Sequence, residues 1–384
     1  MDSGDIMMSA SVNDIQNEIF GRISENTESK NCQIFLSEDE FDILADSICL
    51  NTINYRKYTF VLLKNHEDVY IGIATPVKQV LNETDICSDF DFYEVTAPFW
   101  IAVVYYGRLS VLNSVSEYQR KDLIDPDLKD KIIKYQLEQV KPFFPHIHLI
   151  KFKYAINQDI LDQPELFIKK VALSFFLSQE WTWNLSFDHE TISAYKKYYN
   201  CIGLTHRAYP IDNIIRSLLS TEWRFCFLEL YRCVERLYPI EQFSDILKLL
   251  ENGFFITELI ERFILSRSRE INLLTDICQI VLSKSNASFD KLFVEPINKE
   301  KIASKAASTI YEVRNRIAHD QVIDFNFENE SIANTYIIVL LDIIEIGYIH
   351  YQKKLEKIYP IGISSKKKYS IKELTVPNLV DVQK

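Results

Sequence analysis

The helical spacing of apolar residues after Pro210 is the feature that most constrains how this chain can fold. From Ile211 to Tyr238 the apolar residues recur mainly at spacings of three and four, and Pro239 ends the pattern. We therefore predict one long amphipathic helix over this stretch. The same spacing predicts further helices at 243–250, 256–265, 271–282, 299–318 and 331–359, the last closed by Pro360. Because no strand-like alternation intrudes, this half is predicted to be an all-helical bundle.

The last predicted helix contains the most apolar run of the chain, Ile332 to Ile349. Asp342 and Glu345 lie inside that run, so a buried helix of a soluble protein is a better interpretation than a membrane span. The first residues, Met1 to Ser11, show no basic region followed by an apolar run. We therefore expect a cytoplasmic protein without a membrane partner.

The first 209 residues mix strand-like and helix-like patterns. Two runs rich in β-branched and aromatic residues, 58–64 and 69–74, predict a hairpin, and 90–106 (interrupted at Pro98) and 149–155 are also strand-like. Helical patterns occupy 37–50, 127–144 and 164–178, and 184–209 is interpreted as a bridge. The predicted architecture is an α+β domain of unknown family (1–209), an all-α domain (210–360) and a tail (361–384), predominantly helical overall.

Charge and composition narrow the classes of ligand. The net charge of −11 lies almost wholly in the first 209 residues, which makes that half the poorer candidate for nucleic-acid binding. Eight glycines are few, which argues against folds built on glycine-rich phosphate loops. The seven cysteines include no C-x-x-C pair and are interpreted as small buried hydrophobic residues, so neither a metal nor another cofactor is expected.

The segment Tyr311 to Asp320 carries the residues best suited to chemistry, namely Arg314, Asn315 and His319. On a regular helix, five steps place Arg314 and His319 about 140° apart, so they do not share a face. They can converge only where the helix ends, and the polar residues from Asp320 onward are consistent with an end there. The sequence therefore predicts a helix C-terminus at His319.

These residue types suit the cleavage of RNA, which supplies its own nucleophile in the 2′-hydroxyl group. Histidine can transfer protons near neutral pH. Arginine matches the oxygens of a phosphate and keeps its charge. Asn315 can orient the imidazole or donate a hydrogen bond to the phosphate, and this chemistry requires no metal.

Structural explanations of the same residues stay open at this point. A protonated His319 can interact with the helix dipole, and Arg314 can pair with Glu312 or Glu235. The alternating His146 and His148 are more typical of structural histidines than of metal ligands. Two further features also have structural interpretations, because Trp181 and Trp183 are typical of a core and the lysines at 366–368 of a solvated tail.

The phrase Arg-Asn-Arg-Ile-Ala-His (314–319) resembles the R-[polar]-x₃-H signature of HEPN domains. The stretch Phe227 to Tyr238 is similar to that family's first helix, and the resemblance extends from Pro210 to Pro360, with 252–299 as a possible insertion. It is closest to HEPN domains of bacterial defence and abortive-infection proteins.

That resemblance implies a metal-independent endoribonuclease that acts as a homodimer. It assigns the acid/base role to His319, phosphate binding to Arg314 and a supporting role to Asn315. Glu235 would hold Arg314, although Glu235 as an exposed partner of Arg232 is an equally good interpretation.

We therefore expect a toxin or antiviral effector that cuts RNA, with the first 209 residues sensing a phage or nucleotide trigger. The alternative is a helical module without catalytic activity that dimerises or binds RNA or protein.

Overall fold

A computed structural model describes residues 11–24, 32–76, 78, 90–123, 132–154, 161–202, 209–240, 270–284, 288–293, 295, 297–298, 300–319 and 329–358. The protein is predominantly helical, with a small sheet region in its N-terminal half. The strands are β1 Cys32–Ile34, β2 Ser47–Tyr55, β3 Tyr58–Asn65, β4 Asp68–Thr75, β5 Phe90–Tyr93, β6 Ile133–Tyr135 and β7 His146–Phe152. The helices of this half are α1 Val12–Ser24, α2 Glu38–Ala45, α3 Ala97–Tyr106, α4 Glu117–Leu123, α5 Leu137–Val140, α6 Pro164–Ser178 and α7 His189–Cys201. The helices after Pro210 are α8 Ile211–Leu218, α9 Trp223–Glu235, α10 Glu270–Lys284, α11 Ile302–Ala318 and α12 Glu330–Ile358.

Five strands form an antiparallel sheet in the order β2-β3-β4-β7-β5, and β1 pairs in parallel with β6. The hairpin predicted at 58–74 is confirmed as β3 and β4. A two-residue turn, Arg56-Lys57, joins β2 to β3, and Arg56 adopts the positive φ of 55° that such turns use. The strand predicted at 149–155 is confirmed as β7, which begins earlier, at His146.

Helices cover both faces of this sheet, which explains why β3 and β4 are apolar along almost their whole length. On one face, α3 packs so closely on β4 that a Cβ atom on Gly72 would clash with Val103. On the other face, Phe175 and Phe176 of α6 lie edge-on to Phe60 of β3. Two apolar clusters therefore sandwich the sheet.

Three predicted elements in the first half are wrong in whole or in part. The helix predicted at 37–50 ends at Ala45, and residues 47–50 begin β2. Residues 97–106 form α3, with Pro98 in its first turn, where the fixed φ of proline suits a helix. Residues 132–144 contain β6, the short α5 and a 3₁₀ turn instead of one helix. Pro142 has no N–H to extend the hydrogen bonds of α5, so that helix stops at Val140. Residues 127–131 lie outside the described part.

The long helix predicted at 211–238 is also wrong, because the chain breaks into α8 and α9. Helix α8 ends at Leu218, with Leu219 as its C-cap, and Glu222 precedes α9 with an extended backbone (φ −138°, ψ 142°). The break lets both helices turn their apolar faces inward, with Ile214 of α8 and Phe227 of α9 fully buried. The helices predicted at 271–282, 299–318 and 331–359 are confirmed as α10, α11 and α12, while 243–250, 256–265 and the tail lie outside the described residues.

The apolar core continues across position 209. Its larger cluster contains side chains of the sheet, of α6 and α7, and of the helices after Pro210. The segment predicted as a bridge contributes α7, whose Tyr195 and Tyr198 are fully buried. A hydrogen bond of 2.6 Å from the Tyr55 hydroxyl to Asp212 Oδ1 also joins the sheet to α8.

The apolar run of α12 is long enough to span a membrane, but most of it is buried inside the protein. It contacts α7, α9 and α10, as expected for the central helix of a bundle.

Candidate functional site

Helix α11 ends where the sequence predicts. Ala318 is its last residue, and His319 is the C-cap, with φ −102° and ψ 12°. The backbone N–H of His319 donates to Asn315 O at 3.0 Å. The buried side chains of Ile310 and Val313 hold the same end of the helix in the core, so Arg314, Asn315 and His319 all lie on the last turn or at its boundary.

Arg314 is held by partners on two helices. Its Nη1 donates to Asn315 Oδ1 at 3.0 Å, and its Nη2 donates to Glu235 Oε1, at the end of α9, at 3.1 Å. Its guanidinium carbon lies 5.7 Å from the centre of the Tyr231 ring, within the range of a cation–π contact. Burial alone would lower the pKa of Arg314, but the bond to Glu235 and the nearby charge of Glu270 raise it overall. The guanidinium is therefore a permanently charged, oriented group.

Two buried tyrosines lie beside this ion pair. The hydroxyl oxygens of Tyr231 and Tyr238 are 3.0 Å apart. Burial raises the pKa of both phenols, and the charges of Glu235 and Glu270 raise it further. Both hydroxyls therefore stay protonated at physiological pH.

His319 lies on the solvent side of the site. Its side chain is exposed, and it forms no hydrogen bond or ion pair with the residues whose placement is described. The structure thus brings Arg314, Asn315 and Glu235 into direct contact and places the exposed imidazole of His319 about one turn further along.

The contacts of neighbouring charges separate the alternatives left open by the sequence. Glu235 pairs with Arg314, whereas Arg232 pairs with Glu229, three residues before it. Glu312 pairs with Arg316 on the same helix. Arg232 is therefore not a direct partner of the Arg314–Glu235 pair.

Sequence reasoning missed Tyr231, Tyr238 and Glu270 as neighbours of Arg314. Tyr231 precedes Glu235 by four residues, so helical spacing alone places the two side chains on one face of α9. Glu270 begins another helix, α10, and only the tertiary packing brings its charge near Arg314.

The other candidate residues have structural surroundings. Trp181 packs edge-on against Phe175 at the edge of the core, and the half-buried Trp183 donates from Nε1 to Phe176 O at 2.7 Å, so both have structural contacts. The cysteines at 32, 226, 233 and 278 are buried, those at 49 and 201 are half-buried, and Cys87 lies outside the described residues. Across the described ranges, no group of three or more His, Cys, Asp or Glu side chains is arranged to hold a metal.

A scan against protein-family models and searches of curated proteins and of solved structures found no significant match.

Proposed function

We propose that this protein is an endoribonuclease of the HEPN type, with Arg314, Asn315 and His319 at its active centre. The observation that carries the proposal is the end of α11. There, an oriented guanidinium with its amide partner and an exposed imidazole occupy consecutive turns of one helix terminus. The same helix end therefore carries a phosphate-binding cation and, five residues further along, a group that can accept or donate a proton.

In the proposed reaction, the 2′-oxygen of a ribose attacks the adjacent phosphorus atom and the bond to the 5′-oxygen breaks. His319 moves the proton that leaves the 2′-hydroxyl or the proton that the 5′-oxygen gains. Arg314 stabilises the negative charge on the non-bridging oxygens. The products are a 2′,3′-cyclic phosphate and a 5′-hydroxyl group, and no metal takes part in these steps.

Arg314 retains donors for this role. A guanidinium group has five N–H donors, and Asn315 and Glu235 each accept one hydrogen bond. Glu235 and the Tyr231 ring fix its orientation, which reduces the entropy lost when phosphate binds. Glu235 is therefore a positioning residue in this proposal.

A homodimer formed through the helical half would bring two such helix ends together, as the resemblance to HEPN domains implies. The biological role that follows is a toxin or antiviral effector. The sheet-containing half would then sense the trigger, a phage component or a nucleotide.

A second function is favoured by one observation. Arg314 already has a carboxylate partner, and its side chain is only 26% exposed. A cation neutralised in this way also suits a module that binds RNA or protein, or dimerises, without cleaving anything.

Inducible expression of wild type, His319→Ala and His189→Ala separates the two functions. His189→Ala is the control, because His189 is an exposed histidine on a different helix, α7, and outside the candidate site. The nuclease proposal predicts growth arrest and fragmented RNA for wild type and His189→Ala, and neither for His319→Ala. RNA fragmentation that persists in His319→Ala would reject the assignment. Intact RNA in all three strains, together with RNA binding by the purified protein, would favour the module without activity.

A further inference from the structure

A cleft of about 600 Å³ lies at one edge of the five-stranded sheet, in the half for which the sequence suggests no family. Strand β5 pairs with β7 only from Leu149 to Phe152. The start of β7, from His146 to His148, therefore extends beyond the end of β5 and forms one wall of the cleft. The turn after α5 and the buried end of α3 complete it.

All ionisable side chains that line this cleft, apart from a tyrosine, are basic. They are Lys78, Lys141, His146 and His148. Lys141 Nζ lies 2.8 Å from Glu138 Oε1, but Glu138 is largely exposed and does not line the cleft. Within the described residues, no carboxylate faces the cavity, although the chain as a whole is acidic.

The two histidines form a compact pair at the wall. Their ring centres are 4.5 Å apart, and the ring planes are nearly perpendicular. His148 Nε2 is 3.5 Å from Thr75 Oγ1. The ring nitrogens of His146 have no hydrogen-bond partner in the described part of the chain, so they are available to a ligand.

Burial lowers the pKa of both imidazoles, that of His148 to about 4, and the ammonium groups of Lys78 and Lys141 lower that of His146 further. The pair is therefore neutral at neutral pH and does not add to the positive charge of the cleft. The positive charge of the cleft then comes from the ammonium groups of Lys78 and Lys141, the second of which is paired with Glu138 outside the cleft. The imidazoles beside them can donate or accept hydrogen bonds.

Aromatic side chains form the rest of the lining. Trp100 and Phe144 meet edge-to-face at 5.5 Å in the floor, and Phe92 and Tyr93 lie at the rim. Tyr93 is 43% exposed, so part of its ring is open to a ligand. A cavity of this volume lies in the usual range of about 300–1,000 Å³ for small-molecule sites.

We propose that this cleft binds a nucleotide, with the phosphate between Lys78, Lys141 and His146 and the base against the aromatic rim. An anion would pair with the ammonium group of Lys78 and share that of Lys141 with the exposed Glu138. A flat ring would cover the exposed part of Tyr93. Inorganic phosphate would contact only the basic side chains of the lining, and a nucleoside only the aromatic ones, so neither would use both sets. The proposal is independent of RNA cleavage at Arg314.

Isothermal titration calorimetry on the full chain tests the proposal with the four ribonucleoside monophosphates, adenosine and inorganic phosphate as probes. Wild type is compared with the double variant Lys78→Ala/Lys141→Ala and with Lys57→Ala, an exposed lysine at the β2–β3 turn. We expect at least one monophosphate to bind wild type and Lys57→Ala equally. The double variant should bind it at least about tenfold more weakly, because the phosphate loses two charged hydrogen-bond donors.

Three results would overturn the proposal. They are no binding of any monophosphate at millimolar concentration, equal affinity for the double variant, or inorganic phosphate or adenosine binding as tightly as the nucleotide. Urea unfolding of each variant shows whether it is folded, and His146→Gln supplies a second, single-site variant if the double variant is not. Weaker binding by His146→Gln supports the proposal, and unchanged binding contradicts it.

Discussion

At the scale of single residues, the account depends on how Arg314 is held. The Arg314–Glu235 pair is partly exposed, at 26% and 32%, so its direct contribution to stability is modest, about 1 kcal/mol or less. Its larger effect is geometric, because Glu235 and Asn315 fix the plane of the guanidinium group over the edge of the core. A phosphate would then meet an arginine that is already oriented.

Glu235→Gln tests this positioning role. The amide keeps the shape of the side chain but loses the charge, so we expect the rate of RNA cleavage to fall by about tenfold, as for the loss of one charged hydrogen bond. The free energy of unfolding should fall by about 1 kcal/mol or less. Single-turnover cleavage and urea unfolding measure the two effects.

Glu312→Gln is the matched control, since Glu312 pairs with Arg316 on the same helix. It should cleave RNA at the wild-type rate. Equal cleavage rates for Glu235→Gln and Glu312→Gln would show that the ion pair with Arg314 does not position it.

Much of the local geometry of this site follows from the sequence. The polar residues after His319 indicate the end of α11, and the helical register of α9 places Glu235 on one face with Tyr231. The choice of Glu235 as the partner of Arg314 does not follow. Helical spacing disfavours Glu312, which is only two residues before Arg314, but it does not say which residue of another helix pairs with the arginine. Only the packing of α9 against α11 decides it.

At the scale of elements, Asn334 ties α12 to the start of α7. It is 2% exposed, and its Oδ1 accepts a hydrogen bond of 2.7 Å from the Thr191 hydroxyl. Its Nδ2 donates to Ser186 O at 3.2 Å and to Glu330 O at 2.9 Å. One buried amide thus forms hydrogen bonds with α7, with the chain just before α7 and with the first residue of α12.

Asn334→Ala should therefore lower the free energy of unfolding by about 1–3 kcal/mol, the cost of leaving buried polar groups without partners. Urea unfolding measures this loss. Thr335→Ala removes a half-buried hydroxyl that donates to Ser331 O of the same helix, and it should change stability by less than about 0.5 kcal/mol. Equal stability of the two variants would contradict the role given to Asn334.

Elements with explicit end signals can be predicted from the sequence, and fully buried ones cannot. Ser37 forms a complete capping box with Glu40 at the start of α2, and Pro164 opens α6. Helix α3 has buried side chains from Ala97 to Val104 and so lacks an apolar and a polar face. Its aromatic and β-branched residues therefore resemble those of a buried strand.

At the scale of the whole molecule, a polar cluster joins the sheet to α8 and α9, and α9 carries Glu235, the partner of Arg314. Asp212 of α8 accepts hydrogen bonds from the Tyr55 hydroxyl at 2.6 Å and from Lys169 Nζ at 2.7 Å. The next residue, Asn213, donates to Glu229 of α9 at 2.7 Å. Because α9 ends at Glu235, this cluster is a direct physical connection between the sheet and the candidate site.

The pH dependence of stability tests this cluster. Burial alone would raise the pKa of Asp212, but the hydrogen bonds from Lys169 and Tyr55 lower it below 3.8. A lowered pKa stabilises the fold above about pH 3.8, and this contribution is lost as the pH falls through the pKa of the folded state. We expect Asp212→Asn to be about 1 kcal/mol less stable than wild type at pH 7, since the site is partly exposed.

The difference in the free energy of unfolding between wild type and Asp212→Asn should disappear as the pH falls below the pKa of Asp212 in the folded state. Urea unfolding at a series of pH values from neutral to acidic would show this. Glu94→Gln, a control at an exposed loop position, should have the same free energy of unfolding as wild type at neutral pH. A difference between wild type and Asp212→Asn that stays constant with pH would contradict the proposed role of the charge.

The central claim is that His319 and Arg314 act on the ribose-phosphate linkage of RNA. The most direct measurement uses purified wild type and His319→Ala with an end-labelled RNA and EDTA. A second RNA replaces the ribose at the mapped cleavage position by 2′-deoxyribose. We predict that wild type leaves a 2′,3′-cyclic phosphate and that cleavage at that position is lost both with the deoxy substrate and with His319→Ala. Undiminished cleavage of the deoxy substrate, or by His319→Ala, would contradict the claim.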